Sequence, residues 1–357
     1  ESPRNEFTIT PRTLESPFYK IELNERGQLT SLLNKRHNRE VLAPGVRANV
    51  LQAFEDKPMA FDAWDIDPYY QEKMREVGEL IEAEVEESGP LRGVLRLRWR
   101  FNDSTMTQRL TLYAHSPRID FRTTADWREQ QILLKAAFPV GVRATRATYE
   151  IQFGSIERPT HWNTSWDWAR FEVCGHKWVD LSEGDYGVAL LNDCKYGHDV
   201  KDNVLRLTLI KSPIRPDPQA DQGAHTFTYS LLPHAGDWRA GGVLREAYAL
   251  NYPLLVSTVP AQPAGPLPAR YSFAEVESDH VILETVKKAE REDAWVVRVY
   301  ECQQRRSNAV SIHFGLPIRK AVECNLVEEG EQPISWQGAR LTFAIAPYEI
   351  KTFKVSF

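Results

Sequence analysis

Two neighbouring segments in which apolar and charged residues alternate constrain the fold most strongly. Apolar residues alternate with glutamates in residues 81–86 and with arginines in residues 95–101. A period of two is that of a β-strand with one buried face. The turn Glu87-Ser88-Gly89-Pro90 lies between them, so we predict an antiparallel hairpin with Glu84 opposite Arg96 and Glu82 opposite Arg98. Such cross-strand charge pairs contribute about 0.2–1 kcal/mol each.

The same alternation recurs along the chain and predicts a fold that is nearly all β. Tyr19, Ile21 and Leu23 alternate with charged residues, Gly27 turns the chain, and Leu29 begins a return strand. These features are typical of a hairpin. A helical pattern is found near residues 238–251, where apolar residues recur at helical spacing. We therefore expect a single short helix in an otherwise β chain.

A proline-rich segment divides the chain. Residues 259–268 contain four prolines among small neighbours, which is typical of a stiff linker. We predict a large β domain over residues 1–258, the linker, and a small antiparallel β-sandwich over residues 269–357. Five strand patterns support the small domain, in residues 281–286, 295–300, 309–313, 341–345 and 350–355. Its predicted core includes Ile282, Val297, Ile312 and Phe343.

Composition argues against several classes of protein. The formal net charge of −5 disfavours nucleic acid as a partner, since phosphate binding needs a basic surface. No apolar run approaches the roughly 20 residues of a membrane helix, so no membrane is expected. The N-terminal residues have no apolar core, which predicts no signal peptide, and without an initiator methionine the chain is interpreted as a fragment. Four cysteines without a CxxC pair indicate reduced thiols in a cytoplasmic protein.

The first candidate site is the acidic segment, residues 61–70, in which three carboxylates and several aromatic rings are close together. The candidate ligand-binding residues are Asp62, Trp64, Asp65 and Asp67. Carboxylates accept hydrogen bonds from sugar hydroxyls, and an indole face packs on the apolar side of a pyranose. The structural alternative is a solvated loop anchored by Trp64. A calcium loop is disfavoured, because the required glycine and distal glutamate are missing.

The second candidate is the polar turn, residues 192–197, which follows an apolar strand. Its candidate residues are Asn192, Asp193, Lys195 and Tyr196. Loops at strand ends are common positions for binding groups. The equally weighted alternative is that Asn192 and Asp193 only cap the turn.

The third candidate is the tryptophan turn, residues 160–168, with Trp162, Trp166 and Trp168. These rings suit a carbohydrate cleft, although such residues are more often core or interface anchors. The histidines show no metal-ligand spacing, and no nucleophile elbow, P-loop or dinucleotide motif occurs. The sequence therefore predicts no catalytic residue and no metal site in this chain.

Seven blocks in the same order resemble family 38 glycoside hydrolases, the α-mannosidases of bacterial, cytosolic and vacuolar type. The blocks are residues 61–67 (FDAWDID), 149–154 (YEIQFG), 163–167 (NTSWD), 171–183 (FEVCGHKWVDLSE), 185–197 (DYGVALLNDCKYG), 227–234 (FTYSLLPH) and 347–353 (PYEIKTF). The resemblance implies a large, mutarotase-like β supersandwich followed by a small β-sandwich. It also implies retaining hydrolysis of α-mannosides with an aspartate nucleophile and a zinc ion.

In that family the nucleophile and most or all zinc ligands lie in an N-terminal domain that no segment here matches. The resemblance therefore implies an inactive fragment that packs on the catalytic domain of the same polypeptide and completes the site for an α-mannoside or oligomannose glycan. The acidic segment and the polar turn resemble loops at the sugar. Other members carry an arginine in the turn, where this chain has Cys194 and Lys195; a lysine keeps the positive charge but not the two-pronged geometry of a guanidinium.

Two alternatives stay open. One is a free-standing carbohydrate-binding module, and the other is a complete enzyme that uses local carboxylates. Homo-oligomerisation is also left open.

Overall fold

The computed structural model describes residues 5–260, 265 and 267–357. The strands up to residue 201 are β1 (Thr8–Ile9), β2 (Thr13–Glu15), β3 (Tyr19–Leu23), β4 (Leu29–Asn34), β5 (Arg39–Glu40), β6 (Val50–Glu55), β7 (Met74–Glu76), β8 (Glu79–Ser88), β9 (Arg92–Phe101), β10 (Ser104–Tyr113), β11 (Ile119–Trp127), β12 (Ile132–Pro139), β13 (Arg146–Ile151), β14 (Gly154–Pro159), β15 (Val173–Cys174), β16 (Trp178–Ser182), β17 (Tyr186–Asn192) and β18 (Gly197–Lys201).

The later strands are β19 (Val204–Lys211), β20 (Gly223–Ala235), β21 (Ala274–Val276), β22 (Val281–Lys288), β23 (Trp295–Glu301), β24 (Ser307–Phe314), β25 (Lys320–Cys324), β26 (Gln332–Pro333), β27 (Trp336–Gln337), β28 (Arg340–Ile345) and β29 (Ile350–Ser356). The helices are the single-turn α1 (Ser165–Trp168), α2 (Val243–Asn251) and a 3₁₀ helix, Pro68–Glu72. The prediction of a nearly all-β chain is confirmed: a large β supersandwich is followed by a small antiparallel β-sandwich. Within the described part of the chain, no helix is long and apolar enough to cross a membrane.

The chain divides into two compact units. The first contains the residues up to Glu150 and Ile156–Pro253, and the second contains Ile151–Ser155 and Leu254–Phe357. Part of the predicted linker, residues 259–268, lies outside the described residues, so the linker and its boundaries stay predictions.

Three antiparallel sheets form the first unit. Their strand orders are β1-β2-β3-β4-β5, β14-β13-β16-β17-β20-β11-β10-β9-β8 and β15-β18-β19-β12-β6-β7. A continuous apolar core contains residues from all three sheets, including Leu32, Leu97 and Leu207, each fully buried. The alternation seen in the sequence thus directs one face of each strand into a shared core.

The hairpin of β8 and β9 has the predicted register. Glu82 pairs with Arg98, and Glu84 pairs with Arg96. The Arg96 guanidinium lies 3.0 Å from the Glu82 carboxylate and 3.1 Å from that of Glu86. Local alternation was sufficient to predict this pairing, because a one-residue slip would move the apolar face into solvent.

Strand directions define two opposite ends of the first unit. At the loop end, β6, β17 and β19 end while β12 and β18 begin. The indole of Trp127, the last residue of β11, donates to Ser212 Oγ there at 2.6 Å. At the cleft end, β12, β16 and β18 end, and Ser182 pairs with Gly187 at the start of β17.

The helix α2 is shorter than predicted and begins at Val243. Gly242 precedes it in a left-handed conformation with φ of 64°. Asp237 accepts hydrogen bonds from the backbone N–H groups of Arg239 and Ala240, so its carboxylate closes a separate turn before the helix. The apolar spacing predicted the buried face correctly, whereas the glycine set where the helix begins.

The second unit has two antiparallel sheets, ordered β21-β24-β28-β27 and β22-β23-β29-β25-β26. Val297, Ile312 and Phe343 lie in its core as predicted. Ile282 does not; Val281 is buried instead, and Leu283 packs against the core from a partly buried position. The prediction for Ile282 was wrong because successive side chains of a strand point to opposite faces, and Ile282 is on the outer one.

Candidate functional site

Two carboxylates of the acidic segment fold the loop that carries them. Asp62 Oδ2 accepts hydrogen bonds from the backbone N–H groups of Ile214 at 2.7 Å and Arg215 at 3.1 Å. Asp67 Oδ2 accepts one from the backbone N–H of Met59 at 2.7 Å. The Asp62 bonds attach the segment after β6 to the segment after β19, whereas the Asp67 bond closes the first of these segments on itself.

Trp64 and Asp65, unlike Asp62 and Asp67, have exposed side chains. The Trp64 side chain is 73% exposed, and Asp65 is exposed as well. Among the described residues, no side-chain hydrogen bond or ion pair involves the Asp65 carboxylate. An open indole face beside an unoccupied carboxylate is the arrangement that a sugar ring needs.

The polar turn is built by its own asparagine and aspartate. Asn192 is fully buried; its Nδ2 donates to the His176 carbonyl and its Oδ1 accepts from the Lys195 N–H, both at 2.7 Å. Both oxygens of Asp193 accept from the Thr228 N–H, at 2.9 and 3.0 Å. This geometry favours the turn-capping interpretation for Asn192 and Asp193.

Lys195 and Tyr196 make ring contacts instead of holding the turn, and Lys195 is partly buried whereas Tyr196 is exposed. The Lys195 ammonium lies 4.9 Å from the centroid of the Phe227 ring. Tyr196 is half-exposed, and its ring meets His176 edge-on at 5.4 Å. The binding role of the eight candidate residues stays a prediction, but these contacts separate residues that build loops from residues that are open to a ligand.

The tryptophan turn presents two open rings on a well-fixed backbone. Thr164 and Asp167 form a reciprocal capping box around α1, with the Thr164 hydroxyl accepting from the Asp167 N–H. Trp166 is 75% exposed. Trp168 is half-exposed and meets Trp162 edge-on, with ring centroids 5.0 Å apart. The interpretation of Trp166 as a core anchor is therefore excluded.

Sequence reasoning missed a buried charge cluster beneath these loops. It consists of Tyr70, Lys135, Glu172, Asp199 and Arg206. The fully buried Lys135 Nζ lies 2.6 Å from Asp199 Oδ2 and also pairs with Glu172, while Arg206 Nε donates to Asp199 Oδ1 at 2.7 Å. A single lysine in the apolar stretch ILLKAAFP was the available signal, since buried lysines are rare unless paired.

The pKa values in this cluster follow from burial and charge. Burial alone would lower the pKa of Lys135, but the adjacent Asp199 and Glu172 carboxylates outweigh it and raise the pKa above its ordinary value. Burial raises the pKa of Tyr70 to about 12. The ammonium therefore stays charged at neutral pH, and the phenol stays protonated.

The buried charge cluster lies between two of the loop segments. Tyr70 belongs to the acidic segment, and Lys135 Nζ lies 5.0 Å from its ring centroid. In the polar turn, a Cβ added to Gly197 would lie 2.8 Å from Glu172 Oε1. The acidic segment and the polar turn therefore both lie at the loop end, as expected for loops that shape one site.

The tryptophan turn begins at the opposite end of the strands. The Thr160 carbonyl accepts from the Asp202 N–H, just after β18, at 2.7 Å, and Lys201 Nζ lies 4.1 Å from the centroid of the Trp162 ring. The chain then runs towards the charge cluster, where the ring centroid of Phe171 lies 6.4 Å from that of Tyr70.

The cleft end carries a different concave feature. A cleft of about 960 Å³ opens there, and hydroxyl, carboxylate and guanidinium groups line it. One wall contains the buried Asp180, whose carboxylate lies 2.7 Å from His234 Nε2. None of the eight predicted site residues lines this cleft.

Two family models match the chain. The model of the glycosyl hydrolases family 38 C-terminal domain matches residues 14–219, and that of the family 38 C-terminal beta sandwich domain matches residues 280–353. A crystal structure of a family 38 glycosyl hydrolase from Enterococcus faecalis shares the fold, with a TM-score of 0.81 at 16% identity. That similarity covers 100% of this chain and 45% of the other.

Curated relatives agree with these matches. Alpha-mannosidase 2C1 of Mus musculus is 40% identical over 348 residues, which cover 95% of this chain and 33% of the relative. Alpha-mannosidase G of Dictyostelium discoideum is 39% identical, with 96% and 32% covered. The chain thus spans about a third of the length of the curated relatives it matches. Since the first family model covers more than half of its residues, the chain belongs to glycosyl hydrolase family 38 and forms the C-terminal region of such a protein.

Proposed function

We propose that this chain is the C-terminal β portion of a retaining, zinc-dependent α-mannosidase that hydrolyses α-mannosides or oligomannose glycans. Its loop end completes the rim of the substrate site and packs on an N-terminal catalytic domain of the same polypeptide. The observation that carries the proposal is the position of Trp64 and Asp65, which are exposed at the end of the strands where the acidic segment and the polar turn both lie.

The chemical role of these residues is to bind and orient. Asp65 accepts hydrogen bonds from vicinal hydroxyls of a mannose, and Trp64 packs on the apolar face of the ring. Lys195 supplies a positive charge near the rim, without the two-pronged geometry of an arginine. Since binding energy realised in the transition state raises the rate, these contacts act on turnover without any bond being made by this chain.

Zinc and the nucleophile are proposed to lie upstream of this chain. In the described residues, no three histidine, cysteine, aspartate or glutamate side chains are grouped to hold a metal ion. The residues present therefore do not fit the zinc that the proposed activity requires, and we assign no step through it to them. We propose that this chain alone is inactive.

Exposed apolar side chains support packing of the loop end on another domain. Large apolar side chains that are open to solvent occur there: Met59, Phe61, Trp64 and Tyr69 around the acidic segment, and Tyr196 in the polar turn. Patches of this kind usually mark interaction surfaces.

Kinetics of the complete polypeptide that contains this chain test the proposal. We expect Trp64→Ala and Asp65→Asn each to lower kcat/KM for an oligomannose substrate about tenfold, or about 1.4 kcal/mol of transition-state binding. Arg92→Ala, which removes an exposed ion pair with Glu87 in the hairpin of β8 and β9, is the matched surface control and should leave kcat/KM unchanged. Unchanged turnover in both loop-end variants, with normal folding, would reject the rim role.

The isolated chain separates the two alternatives. A carbohydrate-binding module is favoured by the exposed Trp64 and Trp166 rings, and it predicts that the isolated chain binds a mannoside at the loop end. Turnover of an aryl α-mannoside by the isolated chain, abolished by Asp65→Asn, would identify an enzyme with local carboxylates instead. We also propose a cytoplasmic setting, which the four free thiols support.

A further inference from the structure

The cleft at the cleft end has a pre-formed polar floor. The buried Asp180 carboxylate accepts a hydrogen bond from Ser182 Oγ and is held by His234 Nε2 at 2.7 Å. Gly187 and Gly241 pack against the His234 ring so closely that a Cβ on either would overlap it. The imidazole therefore has no room to leave the Asp180 carboxylate, and the floor is ordered before any ligand arrives.

Ion pairs form the walls of the cleft. Arg146 Nε lies 2.9 Å from the Glu157 carboxylate, and Arg239 Nη1 lies 3.1 Å from that of Asp237. Each pair presents several donors beside several acceptors, with no excess of positive charge. A polyanion is therefore disfavoured as a ligand, because phosphate binding needs unopposed lysines or arginines. A lipid is disfavoured too, since the wall groups are charged.

Trp238 lies beneath one edge of the cleft. Its ring is almost entirely buried and packs against Trp178 at a tilt of 35°, with ring centroids 4.9 Å apart. The Arg239 guanidinium lies 4.2 Å from the centroid of the Trp238 ring. A planar cation above an indole adds a fixed set of N–H donors to the edge of the cleft.

We infer that this cleft is a binding site for a neutral oligosaccharide, at the opposite end of the first unit from the proposed substrate rim. Sugar hydroxyls both donate and accept, so they match alternating carboxylates, hydroxyls and guanidinium groups without needing net charge. The volume of about 960 Å³ lies within the roughly 300–1,000 Å³ that is usual for ligand sites. The choice of a mannoside as the first probe rests on the proposed function. The inference that the cleft binds a neutral sugar rests only on the residues that line it.

Titration of the isolated chain tests this inference. We expect α-1,2-mannobiose or chitobiose to bind saturably in calorimetry, with a Kd of about 1 mM, a weak affinity suited to an open polar cleft. Arg239→Gln should weaken binding about tenfold. Thr145→Trp, which fills the cleft without removing these donors and acceptors, should abolish it. Arg92→Ala, in the exposed hairpin of β8 and β9, is the matched control and should leave the affinity unchanged. Trp64→Ala tests whether the sugar is bound at the loop end instead, and circular dichroism checks that each variant is folded.

This titration measures binding by the isolated chain, whereas the test of the proposed function measures turnover by the complete polypeptide. Either proposal can therefore fail without the other. Binding of either disaccharide that is lost in Thr145→Trp and kept in Trp64→Ala supports the cleft. The absence of saturable binding of both disaccharides overturns it. So does binding that disappears in Trp64→Ala but persists in Arg239→Gln and Thr145→Trp, because the sugar would then be at the loop end.

Discussion

The loop end and the cleft end are formed by the two ends of the same strands, and the lysine and arginine ion pairs near them differ in burial. At the loop end, Lys135 is fully buried among carboxylates. At the cleft end, Arg146 and Glu157 form their pair with more than half of each side chain in water. A strand end can therefore build either an internal support or an open polar surface, depending on how deeply its charges are buried.

Burial changes what an ion pair does. Removing one partner of a buried pair leaves an uncompensated charge, whereas an exposed pair is screened by water and is worth little. We interpret the buried charge cluster as a support that positions the acidic segment and the polar turn. The exposed pairs at the cleft end keep their donors and acceptors available to a ligand.

The largest expected effect is the loss of stability when Lys135 is removed from the buried charge cluster. Lys135→Met should destabilise the first unit by about 3–5 kcal/mol, because Glu172 would be left without its cation and Asp199 with Arg206 alone. Chemical denaturation of the isolated chain measures this. Adding Glu172→Gln should recover part of the loss, since the one unpaired negative charge is then removed. A loss below about 1 kcal/mol would contradict the burial argument.

The next prediction concerns how the free energy of unfolding depends on pH. Burial, followed by the Lys135 charge, lowers the pKa of His198 to about 3, below its ordinary value near 6.5. The folded chain keeps this histidine neutral while the unfolded chain protonates it, so stability is present above pH 6.5 and is lost as the pH falls towards 3. In this window the slope from one such group is about 1.4 kcal/mol per pH unit.

His198→Leu should flatten that slope between pH 6 and 4.5, and denaturation at several pH values measures it. The substitution also removes two buried ring nitrogens that have no partner within the chain, so stability at neutral pH should not fall sharply. An unchanged slope would mean that other groups cause the acid sensitivity of this region.

A smaller effect shows whether Asp193 stabilises the polar turn or contacts the substrate. Asp193→Ala should cost about 1–2 kcal/mol of stability, because the buried side of the turn loses the acceptor for the Thr228 N–H. In the complete polypeptide, turnover per folded molecule should stay unchanged. Reduced turnover at unchanged stability would instead place Asp193 in contact with substrate.

The smallest effect on stability is expected for the exposed pair of Arg146 and Glu157. Arg146→Ala should change the free energy of unfolding by less than about 1 kcal/mol, since both partners of the pair are solvated. The same denaturation experiment compares it directly with Lys135→Met. A large effect would show that the cleft end also depends on charge for its stability, and the contrast between the two ends would fail.

Several features of the fold were predictable because they depend on short stretches of chain. The register of β8 and β9 followed from alternating glutamates and arginines around one turn. The strands of the second unit followed from the same period of two, although Ile282 was assigned to the wrong face. Since the side-chain period of a strand is two, an error of one residue in phase is enough to invert such an assignment.

The sequence by itself determined the β class, the strand patterns and the residue types of the acidic segment, because these depend on neighbours in the chain. Only the tertiary structure decided that Asp62 and Asp193 accept from backbone groups while Asp65 stays open. It also brought Lys135 to Glu172 and Asp199, which lie 37 and 64 residues further along the chain. Desolvation and hydrogen bonding between such distant residues depend on how the sheets pack, and no local pattern encodes that packing.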